Sequence, residues 1–176
     1  MADLQPEVEP PSEGALRWVA QSIAPGARVT SVRRLTGGVT SAMHPITVVE
    51  ANGHHHRCVL RRWVDRLADE GHELVPREAR VLESLERTNV PAPRLLGLDP
   101  HGDECASPAL LMSYLDGHVQ LTPREPDDWV NQIASMLVRI HHTQIEAPVA
   151  ESWLNRERLM VPEWSTDPDL WRERSP

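Results

Sequence analysis

The sequence contains no lysine; all 18 of its basic residues are arginines. Any site that ordinarily relies on an ammonium group must here use a guanidinium, a planar and permanently charged fork of donors. Cysteine is nearly absent too: Cys58 and Cys105 fit neither a disulfide framework nor a zinc spacing. A reduced, cytoplasmic setting is therefore expected. No apolar run approaches the length of a membrane span, and the acidic N-terminus is unlike a signal peptide, so no membrane partner is expected. An excess of positive charge is also missing. The formal net charge is −8, which argues against nucleic acid as a general partner. What remains is a chain of 176 residues, 40% apolar, long enough for one domain or for one domain and part of another.

Residues 1–12 (MADLQPEVEPPS) are proline-rich and acidic and read as a disordered tail. A short helix is expected over 13–24, with Leu16, Val19, Ala20 and Ile23 on one face. Val29 to Thr36 and Ala42 to Glu50 alternate like strands around the pair Gly37–Gly38, and Asn52–Gly53 signals a hairpin into a third strand, His56 to Trp63. The stretch VPREARVLESLERTN reads as a helix with Pro76 in its first turn, where a missing N–H does least harm. Two shorter strands, Arg94 to Leu98 and Pro108 to Tyr114, flank the turn DPHGDE. A linker over 115–121 leads to a helix at about 123–143, started by a capping box at Thr122, Pro123 and Glu125. Trp129, Ile133, Met136, Leu137 and Ile140 form its apolar stripe.

One residue in this pattern asks for an explanation. Glu78 lies within helical reach of the stripe Val81, Leu82 and Leu85, so its carboxylate falls on the buried face. A carboxylate there needs a cation or several hydrogen bonds. On the third strand Val59 and Arg61 share one face, and Leu60 and Arg62 the other, so an Arg61–Glu78 pair would satisfy both charges. The alternative is that Glu78 sits at the stripe's edge and reaches water.

The segments LTGGVTSAM, CVLRRW, VPREARVLESL, VPAPRLLGLD, ALLMSYLDGH and MLVRIHHTQ follow one another from about Val29 to His142. In that order they resemble the aminoglycoside phosphotransferase family of the protein-kinase-like superfamily, which also contains the choline kinases. The resemblance implies an α+β fold: a protein-kinase-like N-lobe of five antiparallel strands plus a helix over 13–114, a hinge over 115–121, and the helical beginning of a C-lobe over 122–176. It implies a nucleotide partner, ATP or GTP with Mg²⁺ in a full-length relative, and a small-molecule phosphate acceptor. Thr36, Gly37, Gly38 and Ser41 would form the loop against the β- and γ-phosphates. Arg61 would hold the α- and β-phosphates where protein kinases use lysine, and Glu78 would pair with it. Val59 would touch the adenine face, while backbone groups of Leu111 to Leu115, chiefly Met112, Ser113 and Tyr114, would meet its edge. Asp116–Gly117 resembles the start of the second lobe, and His141 a structural histidine at the end of its first helix.

The family's HxDxxxxN catalytic loop has no match in these 176 residues. The one His-x-Asp, His101-Gly102-Asp103, is followed five residues after the aspartate by Pro108 rather than asparagine and reads as a turn. Asp167-Pro168-Asp169 lacks the apolar strand that would precede a metal-binding aspartate. No catalytic residue and no metal ligand is therefore assigned. The expectation is an N-terminal part of a phosphotransferase, truncated and inactive alone, with self-association through its exposed C-lobe face; the alternatives are a non-catalytic nucleotide- or partner-binding module and a nonfunctional remnant. His54 and His56 share a strand face and could bind a metal weakly, but no third ligand is apparent, and a solvated hairpin tip is the preferred reading. Trp153, Trp164 and Trp171 read as core residues rather than as a stacking platform.

Overall fold

The computed structural model describes residues 9–35, 41–64, 68–118, 120 and 122–145. Its elements run α1 (Glu13–Ile23), β1 (Arg28–Val32), β2 (Ala42–Val49), β3 (His55–Arg62), α2 (Ala68–Glu86), β4 (Leu95–Asp99), β5 (Ala109–Ser113) and α3 (Pro126–His142). The five strands form one antiparallel sheet in the order β1-β2-β3-β5-β4.

Strand alternation sorts β3 onto two cores. Cys58 and Leu60 face α1, where they bury Ile46, Val48 and Leu111 against Ala15, Val19 and Ala20. Val59 faces α2 and packs with Leu110, Met112, Val75, Ala79 and Leu82. The sheet is thus covered on both faces by helices, and the face a β3 side chain occupies follows from its parity. The register is pinned by burial: a slip of one residue would exchange Leu60 for Arg61 in the α1 core.

Helix α1 starts at Ser12, whose Oγ accepts the Ala15 N–H at 3.1 Å. Of the proline-rich segment, residues 1–8 lie outside the described residues. Glu9 to Ser12 are placed: Pro11 is buried, and the Glu9 carbonyl accepts from Arg62 Nη2.

Helix α2 departs from the expected start. Pro76 lies inside it rather than in its first turn. The extra N-terminal turns are held by close packing at Gly71, where an added Cβ would come within 2.8 Å of Pro108 and 2.9 Å of Trp63. The buried stripe is also shifted, running Val75, Ala79, Leu82 rather than through Val81 and Leu85. Helix α3 begins at Pro126, with Glu125 at its N-cap making no side-chain hydrogen bond, so the expected capping box does not form. Proline at the first helical position and Asp127 and Asp128 in the first turn mark the start instead. None of α3 is buried; Trp129, Ile133, Leu137 and Ile140 are exposed.

The tripeptide His101-Gly102-Asp103 is a turn. Asp99, 4% exposed, accepts the backbone N–H groups of Asp103, Glu104 and Cys105 at 3.0, 3.0 and 2.8 Å. Gly102 has φ +76°, and a Cβ there would lie 2.7 Å from the Ser107 nitrogen, so the glycine serves both backbone conformation and close approach.

Candidate functional site

Arg61, near the end of β3, and Glu78, in the second half of α2, meet across the α2-facing side of the sheet. Arg61 Nη1 donates to both Glu78 oxygens, at 2.7 and 2.8 Å, and Arg61 Nε donates to Ser41 Oγ at 2.9 Å. The guanidinium also lies over the Trp63 ring, 4.3 Å from its centroid. Both open readings of Glu78 meet in one geometry. It flanks the Val75–Ala79–Leu82 stripe, its side chain is 29% exposed, and it is nevertheless paired.

An arginine side chain carries five N–H donors. The Ser41 and Glu78 contacts occupy Nε and Nη1, and the Nη2 donors are not used by them. Ser41, three residues after Gly38 in the sequence, thus anchors the cation. Thr36, Gly37 and Gly38 themselves lie outside the described residues.

Alternate residues of β3 and β5 continue the same face away from Arg61. Val59 pairs with Met112 in the ladder; they are 7% and 6% exposed and form an apolar floor. Beyond them, the Arg57 guanidinium stacks 3.8 Å from the Tyr114 ring centroid and pairs with Asp116. The strip from Arg61 to Arg57 spans four residues of strand, roughly 13 Å at about 3.3 Å per residue. It runs from a cation, over an apolar floor, to the segment leaving β5.

At that segment the backbone donors are partly committed. Ser113 N–H donates to the Arg94 carbonyl at 2.9 Å and Tyr114 N–H to the Arg57 carbonyl at 3.2 Å, while Ser113 Oγ accepts from Arg94 N–H. The first N–H after β5 without such a bond among the described residues is that of Leu115, whose side chain is half exposed. The sequence resemblance places the edge contacts on the backbone of Leu111 to Leu115, with Met112, Ser113 and Tyr114 at their centre; which of these donors strand pairing leaves open is not encoded in residue type. His141 is exposed at the end of α3, and its neighbour His142 bonds the Val138 carbonyl through Nδ1.

Two further groupings lie off this face. On the α1 side, burial and the nearby charges of Arg62 and Arg34 hold His44 neutral, its pKa lowered to about 4. His44 Nδ1 and Arg62 Nε are buried without hydrogen-bond partners. Burial pushes both Cys58 and Cys105 thiols up to about 12, which makes them poor nucleophiles at neutral pH. At the tip of the β2–β3 hairpin, Glu50 joins His54 and His56. Histidine spacing alone does not point to this third ligand, because Glu50 follows the end of β2 and only the hairpin register brings it across. Trp153, Trp164 and Trp171 lie outside the described residues.

A five-stranded sheet carrying an arginine–glutamate pair, with an apolar floor leading to a strand end that continues into a linker, is the plan of a kinase-like N-lobe. The model of the phosphotransferase enzyme family matches residues 48–175, and the chain belongs to that family. Among solved structures, the fold is similar to that of a "putative aminoglycoside phosphotransferase" from Ralstonia eutropha JMP134, with a TM-score of 0.53 and 17% sequence identity over 75% of this chain. This chain spans 38% of the length of that structure. No curated protein matches the sequence significantly.

Proposed function

We propose that this chain provides the nucleotide-binding part of an ATP-dependent small-molecule phosphotransferase. The observation that carries the reading is Arg61, fixed on two sides by Glu78 and Ser41, with its Nη2 donors directed to neither. A guanidinium held this way is preorganised for phosphate oxygens, because little rotamer freedom is left to lose on binding. The base would lie on Val59 and Met112 and take a hydrogen bond from Leu115 N–H. The phosphates would lie at Arg61, beside Ser41. GTP could replace ATP if the edge contacts at Leu115 accept its acceptor and donor pattern.

The residues described here fit the phosphates better than the metal. Glu78 is the carboxylate nearest the cation, and it is engaged with Arg61. Mg²⁺, when bound with a nucleotide, neutralises charge on the phosphate oxygens. The chain's own contribution is to hold the α- and β-phosphates and orient the base.

Turnover is a separate matter. Asp103 sits in a turn organised by Asp99, which fits structure rather than acceptor activation. The 176 residues are accordingly proposed to bind nucleotide without transferring phosphate, to aminoglycosides or other small alcohols, on their own. That observation also supports the second reading, a binding module without chemistry. Equilibrium titration with a fluorescent ATP analogue, competed by Mg·ATP and by Mg·GTP, tests the binding step. Weak saturable binding that Arg61→Ala diminishes supports it; the absence of binding, or binding indifferent to Arg61→Ala, refutes it.

A further inference from the structure

We propose that Glu50, His54 and His56 form a binding site for one divalent cation of the zinc class at the tip of the β2–β3 hairpin. The three candidate ligand atoms all lie within 4.8 Å of one another. His54 Nδ1 lies 3.0 Å from His56 Nε2 and 3.6 Å from Glu50 Oε1, and His56 Nε2 contacts the same Oε1. Bonds of about 2.0–2.1 Å from a tetrahedral zinc ion place neighbouring ligand atoms roughly 3.3 Å apart. The 3.0 and 3.6 Å edges bracket that spacing.

Hydrogen bonding alone satisfies this triangle poorly. A carboxylate oxygen only accepts, and each neutral imidazole nitrogen either donates or accepts, not both. If His56 Nε2 donates to Glu50, it offers no lone pair to a His54 Nδ1–H; if His54 Nδ1 carries no proton, its lone pair faces that of Glu50. A cation at the centre takes all three lone pairs at once.

The backbone around the triangle is fixed independently of any ion. Glu50 N–H donates to the His54 carbonyl and Gly53 N–H to the Glu50 carbonyl, both at 2.9 Å, with Gly53 at φ +86°. Asn52 bonds on both sides of the turn. Its Oδ1 accepts His54 N–H at 2.8 Å, and its Nδ2 donates to Glu50 Oε2 at 3.1 Å. The second oxygen of the ligating carboxylate is therefore held in place, the arrangement that orients ligands around metals in general. Three protein ligands, with His54 largely exposed, leave a fourth position open to water. His55 has the opposite strand parity and stands outside the set, which makes it a built-in control. The site lies at the far end of β2 from Ser41, roughly 30 Å along the strand, so it stands apart from the nucleotide reading and does not depend on it.

The test uses Zn²⁺ alone as the probe, by calorimetry on the full chain, with Co²⁺ absorption as a coordination readout. One Zn²⁺ per chain is expected, weakened at least tenfold by His56→Ala and by His54→Ala and unchanged by His55→Ala. Co²⁺ should give the strong visible bands of a four-coordinate ion, diminished by Glu50→Gln. All four substitutions are at a solvated tip, and circular dichroism on each variant checks that the fold is retained. Failure to bind Zn²⁺ at submillimolar concentration overturns the proposal. So does binding that survives the His54→Ala/His56→Ala double variant, which would move the ion to other histidines.

Discussion

Arg61 of β3 touches both carboxylate oxygens of Glu78 in α2 with one guanidinium nitrogen, while its Nε holds Ser41. One residue thereby couples three parts of the molecule: strand β3, the helix that covers it, and Ser41 just ahead of β2. Neither partner is fully buried, at 24% and 29% side-chain exposure, so the pair contributes only modestly to stability. Its value lies in fixing where a positive charge points.

Substitutions at the pair should therefore separate binding from folding. Glu78→Ala is expected to lower stability by about 1 kcal/mol or less, yet to weaken nucleotide binding by roughly tenfold as Arg61 loses its anchor. Arg61→Ala removes charge-assisted bonds worth about 1.5–3 kcal/mol, or roughly 10- to 100-fold in affinity. Arg61→Lys should rescue only part of this, because one ammonium cannot reproduce the fork that reaches Ser41 and Glu78 together. Denaturant melts and nucleotide titrations on the same samples check both halves.

The two aspartates of the β4–β5 turn should behave oppositely. Asp99→Asn keeps one acceptor oxygen and turns an NH2 towards the N–H group or groups the other one held, and is expected to destabilise by about 1–3 kcal/mol. Asp103→Asn, at an exposed position, should stay within about 0.5 kcal/mol of the parent. Chemical denaturation reads both. A large loss of stability from Asp103→Asn would show that the turn has been misassigned.

Gly102→Ala and Gly26→Ala distinguish conformation from crowding. Both glycines have positive φ, at +76° and +74°, but a Cβ at Gly102 meets the Ser107 backbone at 2.7 Å and one at Gly26 meets nothing within 4 Å. Gly26→Ala should cost about 1 kcal/mol from the backbone alone. Gly102→Ala should cost distinctly more, measured by thermal and denaturant unfolding side by side.

Acid should weaken the α1 side of the sheet. His44 is 2% exposed and held neutral with a pKa near 4, whereas the unfolded chain binds that proton near 6.5. The unfolded state therefore carries more protons between those values, and stability falls as pH drops from about 6.5 towards 4. The 2.5-unit difference corresponds to about 3 kcal/mol at most. Urea unfolding at several pH values should show this slope in the parent and a shallower one in His44→Gln.

Much of this arrangement was legible in the sequence because it rests on parity. Alternation along CVLRRW put Val59 and Arg61 on one face and Leu60 and Arg62 on the other, and the helical position of Glu78 demanded a cation on that same face. The structure has both. Pro76 misled because the rule for its placement is local, whereas α2 is extended backwards by packing of Gly71 on Trp63 and Pro108. The α3 capping box failed for a related reason: Pro126, three residues beyond Pro123, sets the start of the helix on its own. Glu50 was invisible as a partner of the histidines, since that depends on cross-strand register, and within Leu111–Leu115 residue type does not say which backbone donors neighbouring strands have taken. The buried His44 and Arg62 likewise look like ordinary polar strand residues until the α1 core closes over them.

Where a nucleotide contacts the chain is read directly by amide and guanidinium NMR. Titrating the ¹⁵N-labelled chain with Mg·ATP should shift the Arg61 Nε–H resonance and the Leu115 amide together, with a common saturation curve, and Glu78→Ala should move that curve to higher ligand concentration. Shifts confined to α3 or to the Glu50–His56 hairpin tip, with Arg61 and Leu115 unmoved, would contradict the assignment of the β3–β5 face as the nucleotide site.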